Sequence, residues 1–283
     1  PDAGITKRGL VDYYERIAGT MLPHVRRRAI SMQRFPNGIA SGGFYQKEAP
    51  DYFPPWVDRV LVPVAEKGTA QPQVVCNNAA TLVYLATQDC VTPHVWLSRT
   101  DDLHHPDRLI FDFDPATADF EPIRAAAQAM REVLTGIGLE SFVMTTGSRG
   151  LHVVVPLDRR AMFDVVRAFA KDVADLLVRR HPAELTTDVR KAARNGRLFV
   201  DYLRNSYAQT SVAPYAVRPK PGAPVATPLD WEELADPALH AQSYTLANVF
   251  ARLEQKGDPW LPIARKPQSL VAARALLDTL AAE

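Results

Sequence analysis

The stretch SFVMTTGSRGLHVVVPL, residues 141–157, narrows the possible folds more than any other part of the chain. SFVMTT and LHVVVPL are strand-like apolar runs, and the glycines flanking Ser148 and Arg149 set a turn between them. Other strand-like runs also come in twos: 60–64 and 73–76; HVWLSR (94–99) and RLIFDF (108–113), joined by the polar loop TDDLHHPD; RLFVDYLR (197–204) and SVAPYAVR (211–218). AISMQRF alternates like a strand and stops at PNG. Strands grouped in pairs, rather than in strict βαβ order, predict a mixed α+β fold.

Helices fill the intervals. Leu10, Val11, Tyr14, Ile17, Ala18 and Met21 form a helical stripe over 5–22. Asn78–Gln88 suits a buried helix, Asp119 caps a helix over 120–136 that ends near Gly136 or Gly138, and 160–180 is strongly amphipathic. DVRKAARNG reads as a short basic helix, 219–228 as a proline-rich crossing loop, and helices finish the chain.

At 283 residues and 47% apolar content, the chain can bury a substantial core as one large domain or two small ones. Its net charge of +1 argues neither for nor against a polyanionic partner. Cys76 and Cys90 fit no zinc spacing and no disulfide framework, so they read as reduced thiols in a cytosolic protein. No signal peptide and no apolar run near ~18 residues suggests a membrane span. The opening residues, PDAGITK, read as the start of an excised or trimmed domain.

RLIFDFDPA (108–116) places Asp112 and Asp114 two apart in an apolar strand, on one face. Carboxylates held that close repel unless a proton or cation lies between them, and a hard divalent ion is the natural partner. The alternative is a solvated strand face. Asp201, in RLFVDYLR, is a third strand-borne acid, and three such acids can hold two cations for phosphoryl or nucleotidyl transfer. Otherwise it is a strand acid paired with Arg197 or Arg204. Asp101, Asp102 and Asp107 read as loop polarity.

The GSRG turn exposes backbone N–H groups beside Thr146, Ser148 and Arg149, which makes a phosphate cradle or a plain hairpin turn. It is not a Walker loop. His152 follows in the next strand, where a core histidine is the alternative. Basic residues cluster at Arg26, Arg27, Arg28 and Arg34, at Arg190, Lys191, Arg194, Arg197 and Arg204, and at Lys7 and Arg8; each group is a polyanion contact or a solvated face. GGFYQK sets Phe44 and Tyr45 beside Lys47, so at least one ring can be exposed for base stacking unless both are core.

Taken in order, TKRGLVDYYERIA, RFPNG, FYQK, HPDRLIFDFDP, TGSRGLHVVVPL, GRLFVDYLRN and SVAPYAVR resemble the archaeo-eukaryotic primase–polymerase superfamily, and most of all the polymerase domain of bacterial ATP-dependent DNA ligase D. The resemblance covers nearly the whole chain. It implies one catalytic domain over 1–283, with subregions of about 1–90 and 91–283, built on a central antiparallel RRM-like sheet flanked by helices. It implies that Asp112, Asp114 and Asp201 hold two Mn²⁺ or Mg²⁺ ions. It implies that His94, Thr146, Ser148, Arg149, His152 and Arg218 surround an incoming NTP or dNTP, and that Phe44 and Tyr45 stack on template. Lys7 matches a lysine of a pocket for the 5′-phosphate at a gap or break, and Arg34, Lys47 and Arg194 join it as expected DNA contacts.

The implied activity is addition of a few nucleotides, preferentially ribonucleotides, at gaps or broken ends during non-homologous end joining. The implied setting is the bacterial cytoplasm, associated with the nucleoid, with a Ku-type end-binding protein and an ATP-dependent ligase as partners and no membrane. Two features depart from the family pattern: the strand and second lysine usually upstream of Lys7 are not in this sequence, and Thr146 replaces a serine. With no Lys-x-Asp-Gly ligase motif, the chain reads as a stand-alone polymerase or primase, or as one domain of a larger enzyme. A non-catalytic DNA-end-binding module is a further reading. LIFDFDPAT also resembles the opening motif of haloacid-dehalogenase-type phosphatases, which requires an early strand of a parallel sheet.

Overall fold

The computed structural model describes residues 4–64, 68–114 and 119–282, without the side chains of Val64, Asp114 and Ala282. The first helix, α1 (Lys7–Val25), starts at Thr6, whose hydroxyl accepts the Gly9 N–H at 3.1 Å. Its stripe, with Tyr13 added, is buried except for the partly buried Val11, and the helix runs three residues past the predicted end at 22. There follow β1 (Ala29–Arg34), β2 (Phe44–Gln46), β3 (Arg59–Val64), β4 (Thr69–Val75), α2 (Ala79–Thr87) and β5 (Cys90–Trp96). Next come β6 (Ser98–Arg99), β7 (Asp102–Pro106), β8 (Arg108–Asp114), α3 (Glu121–Gly136), β9 (Phe142–Thr145), β10 (Leu151–Pro156) and α4 (Phe163–Arg180). The chain ends with β11 (Leu185–Thr186), β12 (Leu198–Asp201), β13 (Thr210–Val212), β14 (Pro228–Leu229), α5 (Val249–Lys256) and α6 (Leu270–Ala282).

The antiparallel sheet expected from sequence is realised twice. One six-stranded sheet runs β13–β5–β1–β4–β3, with β2 pairing the far half of β1. A second six-stranded sheet runs β11–β12–β8–β10–β9–β14 and is antiparallel except between β11 and β12. The strand carrying the paired aspartates therefore has antiparallel neighbours on both sides, which removes the parallel-sheet phosphatase reading. No helix among the described residues is long and apolar enough to cross a membrane.

Alternation along β8 explains how the sheet is clamped. Leu109, Phe111 and Phe113 are fully buried with Ile123, Met130, Val166 and Phe169 of α3 and α4. Ile110 points the other way and joins a core shared with α1, β1 and β5 through Ile17, Ile30 and Val95. Asp112 follows Ile110 on that second face. In β10, Val153 and Val155 face the helices, leaving His152 and Val154 on the side of Asp112.

Several sequence expectations need correction. The runs 94–99 and 108–113 are not a pair: they belong to different sheets, and the polar loop between them is β7, folded back on β6. The strand expected over 197–204 stops at Asp201, and residues 203–205 form a 3₁₀ turn. There the side chain of Asn205 substitutes for a strand partner, accepting the Ile110 N–H at 2.8 Å and donating to the Ile110 carbonyl at 2.7 Å. The strand expected over 211–218 covers only Thr210–Val212, and the basic helix is a 3₁₀ turn at Lys191–Ala193. Asp119 lies one residue before the cap and accepts the Glu121 N–H at 3.0 Å. Both cysteines are free and buried, and burial pushes their thiols up to about 12, so they stay protonated.

Asp107 is no loop decoration. Its side chain is 11% exposed and pairs with the buried Arg28 at 2.6 Å and with Arg99 at 2.6 Å. Burial alone would raise its pKa, but Arg28 and Arg108 outweigh burial and hold it at about 2. Because the folded value lies below the unfolded one, the pair stabilises the fold above about pH 4 and loses that contribution as pH falls towards 2. We expect about 2 kcal/mol of acid-sensitive stability from this group. Urea titrations between pH 5 and pH 2 should show a shallower pH slope in Asp107→Asn than in the native chain.

Candidate active site

Three strands set a row of polar side chains across one face of the second sheet. Asp112 of β8 is opposite His152 of β10 on one side and Asp201 of β12 on the other. His152 Nε2 lies 3.4 Å from Asp112 Oδ2, and Arg204 Nε lies 3.3 Å from the same oxygen and 3.8 Å from Asp201 Oδ2. Burial pushes the Asp112 carboxyl up, but His152 and Arg204 prevail and hold it below its ordinary value. The 3₁₀ turn matters here. Asp201 Oδ1 accepts the Leu203 N–H at 2.7 Å, and the turn brings Arg204 back beside Asp201. In a continued strand, residues three apart would point to opposite faces.

Asp114 pairs through its backbone with Phe199, and its side chain lies outside the described residues. Among the described residues, no three histidine, cysteine, aspartate or glutamate side chains group as a metal cage. The described acidic pair is Asp112 with Asp201.

Opposite the acids is a basic wall around a cavity of about 180 Å³. Its turn is more specific than a plain hairpin. Thr146 Oγ1 accepts the N–H groups of Ser148 and Gly150 at 3.3 and 3.2 Å and donates to the Gly150 carbonyl at 3.1 Å. The threonine hydroxyl is thus spent on shaping the turn, whereas Ser148 and the exposed Arg149 form its tip. Gln242 holds that tip by donating to the Ser148 carbonyl at 2.6 Å. Gly147 has φ +63°, and a Cβ there would lie 2.7 Å from Arg218 Cγ and 2.9 Å from the Ala226 nitrogen. The turn therefore packs directly on Arg218.

Three buried nitrogens around this cavity have no hydrogen-bond partner: Arg218 Nε, His94 Nε2 and His152 Nδ1. Burial, reinforced by Arg218, Arg204 and His152, holds the His94 pKa well below its ordinary value, so its imidazole is neutral near pH 7. Burial also lowers the Arg218 pKa. Buried nitrogens without a partner around a polar cavity are groups a ligand could satisfy.

A family model described as "LigD, primase-polymerase domain" matches residues 6–260. The chain belongs to this family. It is 35% identical over 267 residues to the multifunctional non-homologous end joining DNA repair protein LigD of Mycobacterium tuberculosis, covering 91% of this chain and 35% of that protein. It is 28% identical over 265 residues to the bifunctional non-homologous end joining protein LigD of Bacillus subtilis, covering 93% and 42%. The chain thus spans about a third of the mycobacterial relative's length. Among solved structures, the polymerase domain from Mycobacterium tuberculosis ligase D in complex with DNA superposes with a TM-score of 0.87 at 31% identity, covering 95% of both chains.

The family's expected residues fall into three places. Asp112, His94, Thr146, Ser148, Arg149, His152 and Arg218 all line the one cavity. Phe44 and Tyr45 are both about half exposed, and Tyr45, edge-on to His94 at 5.2 Å, lines the cavity. Lys47 follows them, exposed. Arg34 lies 5.9 Å from the Phe44 ring and donates to Gln46 at 2.7 Å. Lys7 is paired with Asp89 at 2.7 Å beside a second cavity of about 820 Å³, and Arg218 lines both cavities.

Arg194 is apart from these. It stacks on Phe199 at 3.8 Å and donates to the Asp188 and Val189 carbonyls, holding its own loop. Arg204 and Gln242 are site residues that sequence reading did not assign to the site. Arg204 is expected from the sequence only as a possible partner of Asp201, a pairing the structure shows at 3.8 Å; Gln242 carried no signal. Gly147→Ala should cost about 2 kcal/mol of stability and displace Arg218, measurable as a lowered unfolding midpoint and a shifted Arg218 Nε resonance.

Proposed function

We propose that the chain is a template-directed nucleotidyltransferase that extends a 3′ end by a few nucleotides, ribonucleotides preferentially, at gaps or broken DNA ends in non-homologous end joining. One observation carries this reading: Asp112, joined to Asp201 through Arg204, lines a basic cavity around which buried nitrogens of Arg218, His94 and His152 have no protein partner. In the reaction, the 3′-hydroxyl gives up its proton, its oxygen bonds the α-phosphorus, and the bond to the leaving pyrophosphate breaks.

The donor set suits divalent ions. Asp112 and Asp201 already share one cation, the Arg204 guanidinium, so their oxygens converge, and carboxylate oxygens suit Mn²⁺ or Mg²⁺. Two such ions, held by Asp112, Asp201 and Asp114, would supply charge neutralisation at the attacking oxygen and at the triphosphate. Arg218 and Arg149 bind and orient the triphosphate. Neutral His94 offers a hydrogen bond rather than a charge, and Phe44 and Tyr45 stack on a base. Lys7, beside the larger cavity, binds a 5′-phosphate. The end-joining relatives, and the DNA bound in the similar solved structure, support end joining as the setting. A Ku-type protein and an ATP-dependent ligase complete the proposed assembly.

The test is extension of a 5′-phosphorylated gapped duplex with Mn²⁺ or Mg²⁺ and NTPs or dNTPs. Asp112→Ala and Asp201→Ala should each lower incorporation at least about 100-fold while DNA binding persists. Undiminished incorporation in the double variant would sink the assignment, and end binding with no incorporation under either metal would favour a recruiting module. NTPs should give the higher kcat/KM. In Lys7→Ala, the advantage of a 5′-phosphorylated over an unphosphorylated gap should shrink at least about tenfold, seen in KM rather than kcat.

A further inference from the structure

A second positively lined cavity, of about 290 Å³, lies at the other end of β8 from the acids. Arg108 and Asp112 are four residues apart on that strand, a separation of about 13 Å. The walls come from the end of α1 (Pro23, His24), the residue before β1 (Arg28), β6 (Arg99), the start of β8 (Arg108), the residues after β10 (Asp158, Arg159) and the segment around Trp260. Four guanidiniums and two carboxylates line it.

The arginines are not equivalent. Arg28 is fully committed: it donates to the His24, Trp96 and Ser98 carbonyls and pairs with both oxygens of Asp107. That is a structural role. Arg108 is 95% buried, yet only its Nη2 donates, to the His24 carbonyl at 3.2 Å. Its nearest carboxylate, Asp107, is taken by Arg28 and Arg99. Arg159 pairs with Asp101 through Nη1 at 2.9 Å, and its Nε is buried without a partner. His24 Nε2 is 2.7 Å from Asp258, and its Nδ1 is buried without a partner. Burial, with Arg28 beside it, pushes the Arg108 pKa well below its ordinary value, the condition an anion would relieve. A buried guanidinium with unused donors is costly unless something accepts from it.

We propose that this cavity is an anion site for a phosphoryl group, held by Arg108 and Arg159 with Arg99 at its edge. Guanidinium forks match phosphate oxygens in pairs. Leu157, Trp260 and Ile263 add an apolar strip along the same cavity, where the remainder of a phosphorylated molecule would lie. The phosphoryl group belongs either to a free phosphate or diphosphate or to the backbone of a nucleic-acid strand. The inference does not rest on the proposed polymerase activity, because none of these residues lines the acidic site.

The experiment is calorimetric titration with inorganic phosphate and with pyrophosphate, at constant ionic strength, into protein carrying Lys7→Ala, Arg149→Ala and Arg218→Ala so that the other two phosphate-type cavities are disabled. One saturable equivalent is expected. Adding Arg159→Gln or Arg108→Gln should weaken it at least about tenfold. Arg159 is partly exposed, so Arg159→Gln keeps the test decisive should the buried Arg108→Gln fail to fold. No saturable binding, or unchanged affinity in a natively folded Arg159→Gln protein, overturns the proposal. Competition by a short single-stranded oligonucleotide assigns the phosphoryl group to a strand; binding without competition assigns it to a free anion.

Discussion

A carboxylate buried in the middle of an antiparallel sheet is the constraint around which this molecule is arranged. Asp112 lies between fully buried Phe111 and Phe113, and its charge would cost several kcal/mol if left alone there. The flanking strands answer that cost in register, His152 on one side and Asp201 with its attendant Arg204 on the other. The sheet can hold this polar row because α3 and α4 cover the opposite face with large apolar side chains, which fix the register and so the aim of the acids.

Much of this was legible in the residues. Period-two alternation in RLIFDFD puts the acids on the face away from Leu109, Phe111 and Phe113, which the structure bears out for Asp112. The helices were readable from their stripes. The failures share a cause: local pattern says that a segment is extended but not which sheet receives it. HVWLSR and RLIFDF look like neighbours, yet β7 turns the chain between them and each joins a different sheet. RLFVDYLR looks like eight residues of strand, yet the Asp201 side chain captures the Leu203 N–H and ends it. That capture sets Arg204 beside Asp112 as well as beside Asp201, the partner that the sequence suggested for it.

Charge was the least readable property. Arg28 sits in a run of arginines that suggests a solvated face, and Asp107 sits in a polar loop. Arg28 is buried, and Asp107 mostly so, because each has the other. Sequence spacing of 79 positions offers no hint of that pair. Conversely, Arg194, in an equally basic run, spends its donors on its own loop. Composition near neutrality conceals both outcomes, because ion pairs and surplus cations add to the same net charge.

The glycine turn shows how backbone, rather than side-chain chemistry, connects the two cavities near the acids. Gly147 must be glycine because its φ is left-handed and because Arg218 and the Ala226 backbone occupy the space a Cβ would need. The close approach holds Arg218, which lines both the acidic-site cavity and the larger one beside Lys7. A ligand in either cavity would therefore lie against the same residue. In the proposed reaction that gives one arginine contact with the triphosphate on one side and the approach to the 5′-phosphate pocket on the other, so filling one cavity should alter the electrostatic potential felt in the other without any movement of the sheet.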